Sequence, residues 1–316
     1  MERLNKILEL NAEGMYMEVE AGVRTVDIQK YANEAGFLYA GDPCSAESCL
    51  IGGNIATNAG GNKAVRYGVT RDQVYAVEVV TPTGEIVELG ARLKKKSTGY
   101  CLEQLIMGRA GPLGIITKAT LKLQPIPPYR FDRLAVFSDP EQALDVVPKI
   151  MQAGINPTSV EYMDNSYVRG TADYLEFKGA PHYENGIYVI ITVETFSEDE
   201  LDLKMEQRDE LCSAAGAVDV LEADERIWDM RRNCQESVRL ISLVSLTDDV
   251  VVPVNEIAGT IKFIMKIGEK YPFPVKINAH IGDKLLYRHW TSYNDGRCNH
   301  LILFDTQTKV RLSTLY

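Results

Sequence analysis

The stretch Gly41–Gly61, GDPCSAESCLIGGNIATNAGG, holds two glycine pairs that are separated by the short run NIATNA. Because a glycine has no Cβ, its backbone reaches positive φ angles and a ligand can lie directly against its N–H group. Successive N–H groups in such turns form concavities that bind anions. Thr57 and Asn58 add a hydroxyl and an amide that can satisfy a phosphate or the edge of a heterocycle. We therefore predict that this stretch holds a large polar cofactor close to the main chain.

The alternative is that the glycine pairs are purely structural, since glycine pairs are also common in tight turns. The glycine spacing matches neither the G-x-G-x-x-G fingerprint nor the G-x-x-x-x-G-K-[ST] pattern, so a Rossmann or P-loop site is excluded.

Composition limits the classes of protein that fit this chain. Its 316 residues are enough for two domains, and its apolar and charged fractions of 45% and 25% are typical of globular proteins. The formal net charge of -10 argues against a nucleic-acid partner. No apolar run is long enough to span a membrane, and the N-terminus lacks the apolar core of a signal peptide. Six cysteines without a C-x-x-C pair favour a reducing compartment. We expect a cytoplasmic protein without a transmembrane segment.

A proline-rich segment, PIPP at Pro125–Pro128, gives the strongest signal for a domain boundary, because prolines interrupt both helices and sheets. Beyond it, strand-like and helix-like stretches alternate without a glycine-rich fingerprint. This pattern predicts an α+β domain with helices on one face of an antiparallel sheet. In the first part of the chain, Thr25 is predicted to be the N-cap of the helix that follows it.

Several ordered motifs give the chain a family resemblance. It resembles the flavin-dependent 2-hydroxy-acid dehydrogenases related to D-lactate dehydrogenase and the glycolate oxidase catalytic subunit, within the vanillyl-alcohol-oxidase (PCMH-type) superfamily. The resemblance runs from residue 1 to about residue 283. The motifs that carry it are Asp42–Ser45, Ile51–Gly61, Val65–Asp72, Thr98–Tyr100 and Gly114–Thr117.

This resemblance implies an α+β fold in three parts: a partial FAD-binding domain over residues 1–127, a substrate or cap domain with an antiparallel sheet over residues 128–283, and a divergent tail over residues 284–316. It implies FAD as the cofactor. The residues expected to contact FAD are Pro43, Ser45, Gly52, Gly53, Asn54, Thr57, Asn58, Gly60, Gly61, Gly68, Gly114 and Ile116.

The same resemblance implies that Arg231 and His280 form the substrate site. Arg231 ends the motif WDMR and His280 lies in the motif AHIGD, so they match the family's substrate-carboxylate arginine and its catalytic histidine. A guanidinium binds a carboxylate through two charge-assisted hydrogen bonds, and a neutral histidine suits the removal of a hydroxyl proton. The expected reaction is oxidation of a lactate-like or glycolate-like D-2-hydroxy acid to the 2-oxo acid, with hydride transfer to flavin. Without the resemblance, Arg231 reads as a solvated helix charge beside Arg232, and His280 as a hydrogen-bonded core histidine.

Three departures from the family pattern limit this expectation. The chain begins after the family's leading flavin subdomain. The segment Gly108–Gly114, GRAGPLG, replaces the usual GSEGTLG, so Ala110 removes a carboxylate and Pro112 removes an N–H group. The resemblance stops at Asp283, so the family's later motifs are missing from residues 284–316: Tyr287 stands where a second histidine would be, and a later glutamate has no match. Because zinc needs three or four protein ligands, we expect no metal.

Three functional alternatives remain from the sequence. One is an active flavoenzyme whose partners are a small 2-hydroxy acid and an electron acceptor, either an electron-transfer flavoprotein, an iron–sulfur protein or a quinone. Another is a truncated, non-catalytic fragment with weak or no FAD binding. The third is a plain α+β binding module with glycine-rich turns and no nucleotide affinity.

Overall fold

An antiparallel sheet with short helices forms the first part of the molecule. The computed structural model describes residues 3–240, 245–270, 275–282, 285–291, 300–305 and 308–314. The strands of this part are β1 (Ile7–Asn11), β2 (Tyr16–Glu20), β3 (Phe37–Leu38), β4 (Val74–Val80), β5 (Ile86–Gly90), β6 (Ile115–Lys122) and β7 (Gln124–Pro125). The helices are α1 (Thr25–Glu34), α2 (Ile51–Thr57), α3 (Ala64–Tyr67) and α4 (Leu102–Ile106). The main sheet has the order β1-β2-β6-β4-β5, and β3 pairs with β7.

Helix α2 lies inside the glycine-rich stretch, where the sequence predicted turns. Ile51 and Ile55 lie one helical turn apart, and both are fully buried in the core of the first sheet. The helix ends at Asn58, whose φ and ψ angles of 52° and 52° are left-handed. Asparagine tolerates this conformation better than most residues. Burial of the two isoleucines therefore outweighs the low helix propensity of the first glycine pair.

Thr25 is the first residue of α1 and not its N-cap, which is Arg24. The Thr25 hydroxyl instead accepts a hydrogen bond from Asn54 Nδ2 at 2.6 Å, which ties α1 to α2. The predicted cap was wrong because a buried polar partner competes for the same hydroxyl.

A larger antiparallel sheet forms the second part of the molecule. Its strands are β8 (Tyr129–Phe137), β9 (Ser159–Met163), β10 (Ile187–Thr195), β11 (Asp219–Glu222), β12 (Ser245–Val251), β13 (Val275–His280) and β14 (Leu285–Thr291). Its helices are α5 (Pro140–Gln152), α6 (Asn165–Tyr174), α7 (Glu198–Ala214), α8 (Glu225–Arg232), α9 (Cys234–Arg239) and α10 (Ile257–Gly268). The strand order is β11-β8-β10-β9-β13-β14-β12.

Helices cover both faces of this sheet, whereas the sequence predicted them on one face only. Apolar residues of α5, α7 and α10 form one core with the sheet, and those of α6, α8 and α9 form another. The central strand β10 is buried at every position because helices cover both faces of the sheet, and its residues other than Thr192, Glu194 and Thr195 are apolar. The antiparallel α+β architecture itself is confirmed.

The two parts meet at Glu194, near the end of β10. Arg66 Nη1 donates to the Glu194 main-chain oxygen at 2.5 Å and to Thr158 Oγ1 at 3.3 Å. The Tyr67 hydroxyl donates to Glu194 Oε2 at 3.2 Å, and Lys63 Nζ lies 4.0 Å from Oε1. We call this set of contacts the Glu194 junction. It fixes α3, which directly follows the second glycine pair, against the larger sheet.

The boundary predicted at residues 127 and 128 falls between β7 and β8, and it stays a prediction. Pro125 closes the short strand β7, which pairs with β3. A hairpin of β15 (His300–Asp305) and β16 (Thr308–Thr314) follows the larger sheet. Of the predicted tail, residues 284–316, the structure describes 285–291, which form β14 of the larger sheet, and the two strands of this hairpin. In the part of the chain that the structure describes, no helix combines the length and apolarity needed to cross a bilayer.

Candidate active site

The second glycine pair forms a partly open turn, in which Gly60 is partly exposed and Gly61 is buried. A Cβ on Gly61 would lie 1.9 Å from the Asp42 carbonyl oxygen, so only glycine allows the Asp42–Pro43 segment to pack here. The amides of Gly60 and Gly61 donate to no acceptor among the described residues. A Cβ on Gly53 would meet nothing within 4 Å, so its Cα borders open space. The Gly60–Gly61 turn thus has two amides without a partner among the described residues, and the exposed Gly53 lies in the preceding helix α2.

The second glycine-rich loop, Gly108–Gly114, lies against α2. The Gly108 amide donates to Ile55 O at 3.0 Å, and the Ala110 amide donates to Ala56 O at 2.7 Å. Ala110 has a φ of 52°, a left-handed conformation that is unusual for alanine. The structure thus brings together the two glycine-rich stretches that the sequence singled out separately.

Protein contacts already engage several residues that were predicted to contact FAD. The Gly52 amide donates to Ala21 O at 2.8 Å, and a Cβ on Gly52 would lie 2.7 Å from the Ala21 Cβ. The Thr57 hydroxyl donates to Gly53 O at 3.0 Å, and Asn58 Oδ1 accepts from the Arg71 amide at 2.9 Å. These contacts explain the residue types by packing and turn geometry. Their roles as FAD contacts stay predictions.

The remaining predicted contacts differ in their exposure. Ser45 is exposed, Pro43 is buried, and the Ile116 side chain packs in the core of the first sheet. Gly68 has a φ of 80°, and a Cβ there would meet the Asp72 carboxylate. A Cβ on Gly114 would lie 2.4 Å from Val79 Cγ1, so this glycine allows β4 and β6 to approach. Of these positions, Ser45 is the one whose side chain is free to meet a ligand directly.

The open turn fits a large anionic cofactor such as FAD. Unused amides supply hydrogen bonds to phosphate oxygens, and bare glycine backbone allows close approach. Gly53, Gly60 and Gly61 would hold the cofactor through their main chain, together with the Gly108–Gly114 loop beside them.

A buried charged cluster lies on the larger sheet and unites Arg231 and His280 with Glu161. Arg231 Nε and Nη2 donate to Glu161 Oε2 at 2.9 and 2.6 Å. His280 Nδ1 lies 2.7 Å from both oxygens of the same carboxylate. Glu161 has no exposed surface, and Arg231 and His280 are 6% and 1% exposed. We call these three residues the Glu161 cluster.

Sheet pairing and a capped helix build this cluster. Glu161 and His280 are direct cross-strand partners on β9 and β13. Side chains of such partners project to the same face of a sheet. Arg231 lies on the buried face of α8, whose first turn is capped by Asp224 accepting from the Ile227 amide at 3.0 Å.

Opposing effects set the charges of the cluster. Burial favours a neutral carboxyl at Glu161, but the charges of His280 and Arg231 outweigh it and hold the Glu161 pKa below its usual range. Burial likewise favours a neutral imidazole, but the Glu161 carboxylate raises the pKa of His280 to about 10. The pKa of Arg231 is raised further by Glu161, despite its burial. His280 is therefore an imidazolium at neutral pH, whereas the sequence suggested a neutral histidine.

The cluster faces the glycine-rich segment of the first part of the chain. His280 Nε2 lies 3.9 Å from Cys44 Sγ, which follows Pro43. The predicted substrate residues therefore adjoin the predicted cofactor segment. Among the described residues, no group of three or more metal-ligand side chains is placed to hold a metal ion. The expectation of no metal stays a prediction.

Sequence reasoning missed Glu161. It occupies the middle of SVEYM, a stretch that the sequence indicates only as a strand. One signal was available: a buried arginine and a buried histidine require a counter-charge, because unpaired buried ions are very costly.

The fold places a glycine-rich segment beside the larger sheet that carries the Glu161 cluster. The FAD binding domain family matches residues 1–90, and the family of FAD linked oxidases, C-terminal domain, matches residues 127–310. The chain therefore belongs to the FAD-linked oxidases, and its cofactor is FAD. The second match extends beyond Asp283, where the sequence analysis expected the resemblance to end.

Two curated relatives support this assignment. The chain is 36% identical over 305 residues to the D-lactate dehydrogenase of Anaerostipes hadrus, covering 93% of this chain and 63% of the relative. It is 33% identical over 289 residues to the glycolate oxidase subunit GlcD of Bacillus subtilis, covering 90% of this chain and 61% of that relative. The chain thus spans about three fifths of the length of these relatives.

Solved structures share the fold at low sequence identity. An alkyldihydroxyacetonephosphate synthase matches with a TM-score of 0.74 at 21% identity, covering 92% of this chain and 61% of that one. A p-cresol methylhydroxylase matches with a TM-score of 0.76 at 15% identity, covering 93% of this chain and 65% of that one. These matches confirm the vanillyl-alcohol-oxidase (PCMH) type of fold.

Proposed function

We propose that the chain oxidises a small D-2-hydroxy acid, of the lactate or glycolate kind, to the 2-oxo acid. The observation that carries this proposal is the Glu161 cluster, in which Arg231 and His280 share one buried carboxylate beside Cys44 of the cofactor segment. The names of the relatives, D-lactate dehydrogenase and glycolate oxidase, favour this substrate class. The predicted electron acceptors stay predictions.

Arg231 binds the substrate carboxylate in this proposal. A guanidinium has five N–H donors, and Glu161 engages the edge formed by Nε and Nη2. The Nη1 group of Arg231 makes no hydrogen bond to a described residue, so it is free to donate to a carboxylate. Such charge-assisted bonds in a buried site are strong and orient a planar anion.

His280 handles the proton of the substrate hydroxyl. Its Nδ1 is engaged by Glu161, so Nε2 is the nitrogen that faces the cofactor segment. Neutral Nε2 accepts the hydroxyl proton during oxidation, and protonated Nε2 donates to the carbonyl oxygen of the product. Bound FAD would supply the acceptor for the hydride that leaves the substrate carbon.

The experiment is turnover of D-lactate, L-lactate and glycolate by the FAD-loaded chain with an artificial electron acceptor. Arg231→Lys keeps a positive charge beside Glu161 but loses the planar guanidinium, which can donate two parallel hydrogen bonds to a carboxylate. We expect KM for D-lactate to rise roughly 30-fold, corresponding to about 2 kcal/mol of lost binding. The matched control is Arg232→Lys, because Arg232 is half exposed and pairs with Glu225 and Asp229.

An unchanged KM in Arg231→Lys would contradict the role of Arg231. Absence of oxidation with every hydroxy acid would contradict the proposed function. A protein that stays colourless after incubation with FAD would support the non-catalytic alternative.

A further inference from the structure

We propose that Glu161 is a positioning residue for the reaction. Its carboxylate holds Arg231 and His280 so that their remaining donors face the Asp42–Ser45 segment, where the substrate's carboxylate and 2-oxygen bind. This inference rests on the proposed function and assigns a role to a residue that the sequence left unassigned.

Glu161 contacts both residues through one end of its side chain. Oε2 accepts from two nitrogens of Arg231, and both oxygens lie within hydrogen-bond distance of His280 Nδ1. These contacts use the Nε–Nη2 edge of Arg231, so only its outer edge is left for a substrate carboxylate. Glu161 therefore determines which edge of the Arg231 guanidinium is available to a substrate carboxylate.

The same carboxylate fixes the orientation of the imidazole ring. Because Nδ1 is held as a donor to Glu161, the ring cannot turn over without losing this bond. Nε2 then remains directed toward Cys44, and 3.9 Å separates Nε2 from Cys44 Sγ. An imidazole ring whose second nitrogen is oriented by a carboxylate is a common way to set its reactive nitrogen.

Charge balance makes this arrangement depend on a carboxylate. The titratable groups that face His280 are Glu161 on β9, Arg231 on α8 and Cys44 in the glycine-rich segment. Arg231 Nη2 lies only 3.4 Å from His280 Nδ1, so the two cations would repel each other without the anion between them. A neutral glutamine cannot supply that charge, and its amide N–H₂ group cannot accept from either partner.

Side-chain length is equally constrained. Glu161 and His280 are fixed as cross-strand partners, so the backbone cannot move to compensate for a shorter side chain. An aspartate at this position keeps the charge but withdraws the carboxylate by one methylene. Glu161→Asp is therefore expected to retain the charged imidazole while losing the bonds to Arg231.

The test compares wild type, Glu161→Gln and Glu161→Asp by nitrogen-resolved NMR of the His280 ring, assigned with His280→Gln, and by D-lactate kinetics of the FAD-loaded chain. In wild type, both ring nitrogens should be protonated from pH 6 to pH 8. In Glu161→Gln the ring should titrate near the ordinary histidine value of about 6.5. KM for D-lactate should rise roughly tenfold or more in both variants, because Glu161→Gln removes the charge that strengthens the bonds to Arg231 and Glu161→Asp withdraws the carboxylate from Arg231.

The matched control is Asp164→Asn, a buried carboxylate that follows β9 and accepts from the Tyr167 and Ile277 amides at 2.8 and 2.6 Å. It should lower the melting temperature but leave the His280 resonances unchanged. Circular dichroism of each variant establishes that it is folded, and Glu161→Asp remains informative if Glu161→Gln does not fold.

His280 resonances in Glu161→Gln that match wild type would overturn the positioning role. An unchanged KM in both Glu161 variants would overturn it as well. If the ring titration shifts as expected but the wild type oxidises no hydroxy acid, the hold of Glu161 on His280 is supported and the proposed function fails. The NMR readout thus separates the two failures.

Discussion

At the scale of single residues, the Glu161 cluster concentrates three charges in a nearly dry environment. Taking ions out of water is expensive, and a buried ion pair is often no more stabilising than apolar residues of the same size. Two cations and one anion are also unbalanced by one positive charge. Such a cluster is better explained by binding an anion than by stability, and a hydroxy acid is a small anion.

The raised pKa of His280 predicts the pH dependence of turnover. Oxidation requires the neutral imidazole, whose fraction grows with pH until the pKa of about 10 is passed. We therefore expect kcat/KM for D-lactate oxidation to rise about tenfold per pH unit between pH 7 and pH 9. In Glu161→Gln, kcat/KM should stop rising near neutral pH, because the His280 imidazole then lacks the carboxylate that raises its pKa. A wild-type profile that is already flat at pH 7 would show that His280 is not the titrating base.

At the scale of elements, the short helix α3 connects the cofactor turn to the larger sheet. It follows Gly60 and Gly61 directly, and its residues Arg66 and Tyr67 bond to Glu194 on β10. Thr158 also donates to the Glu194 carboxylate, so this junction joins both β9 and β10. The position of the cofactor turn is therefore tied to the strands that carry the Glu161 cluster.

Weakening the junction should loosen the turn without unfolding either sheet. Glu194→Gln removes the charge that faces Lys63 and weakens the bonds from Tyr67 and Thr158. We expect the free energy of unfolding to fall by about 1–2 kcal/mol. Amide hydrogen exchange should become faster in residues 60–67. The control is Glu198→Gln, an exposed residue in the first turn of α7.

Equal exchange rates in Glu194→Gln and in the control would mean that the junction does not hold the turn. Faster exchange throughout both sheets would instead indicate general destabilisation and would also contradict this prediction.

At the scale of the whole molecule, separate cores support the two sheets. One core fills the first sheet, and the larger sheet has a core on each face. The cofactor turn lies on the first sheet, and the Glu161 cluster lies on the second. A ligand that occupies the boundary should therefore stabilise both parts together.

Binding of FAD should raise the stability of the native chain. At a free FAD concentration of 100 times Kd, mass action adds about 2.7 kcal/mol to the free energy of unfolding. We expect a matching rise in melting temperature and slower hydrogen exchange in residues 42–61 and 108–114. Riboflavin is the control, because it lacks the phosphates that the Gly60 and Gly61 amides would bind. A melting temperature unaffected by FAD at any concentration would contradict FAD binding by this chain.

Much of this architecture follows from the sequence, and the exceptions have physical causes. The alternation of strand-like and helix-like stretches beyond the PIPP segment is a local signal, so the antiparallel α+β architecture of the second part was predicted. Helix α2 was not predicted, because its two glycines disfavour a helix and only tertiary burial of Ile51 and Ile55 overrides them. The helices on both faces were also missed, although the apolar residues on both faces of β10 indicate them.

For the site, Arg231 and His280 could be named from motifs, but their shared partner could not. The contact joins residues 70 and 119 positions apart in sequence, and no local pattern encodes it. The charge state of His280 was missed for the same reason, since a neutral histidine is the default until its carboxylate neighbour is known.

The distance along the chain between Glu161 and His280 also bears on biogenesis. His280 can reach Glu161 only when β13 is paired with β9, so the Glu161 cluster cannot be complete before the larger sheet contains both strands. Completion of the reactive centre therefore depends on formation of the sheet itself.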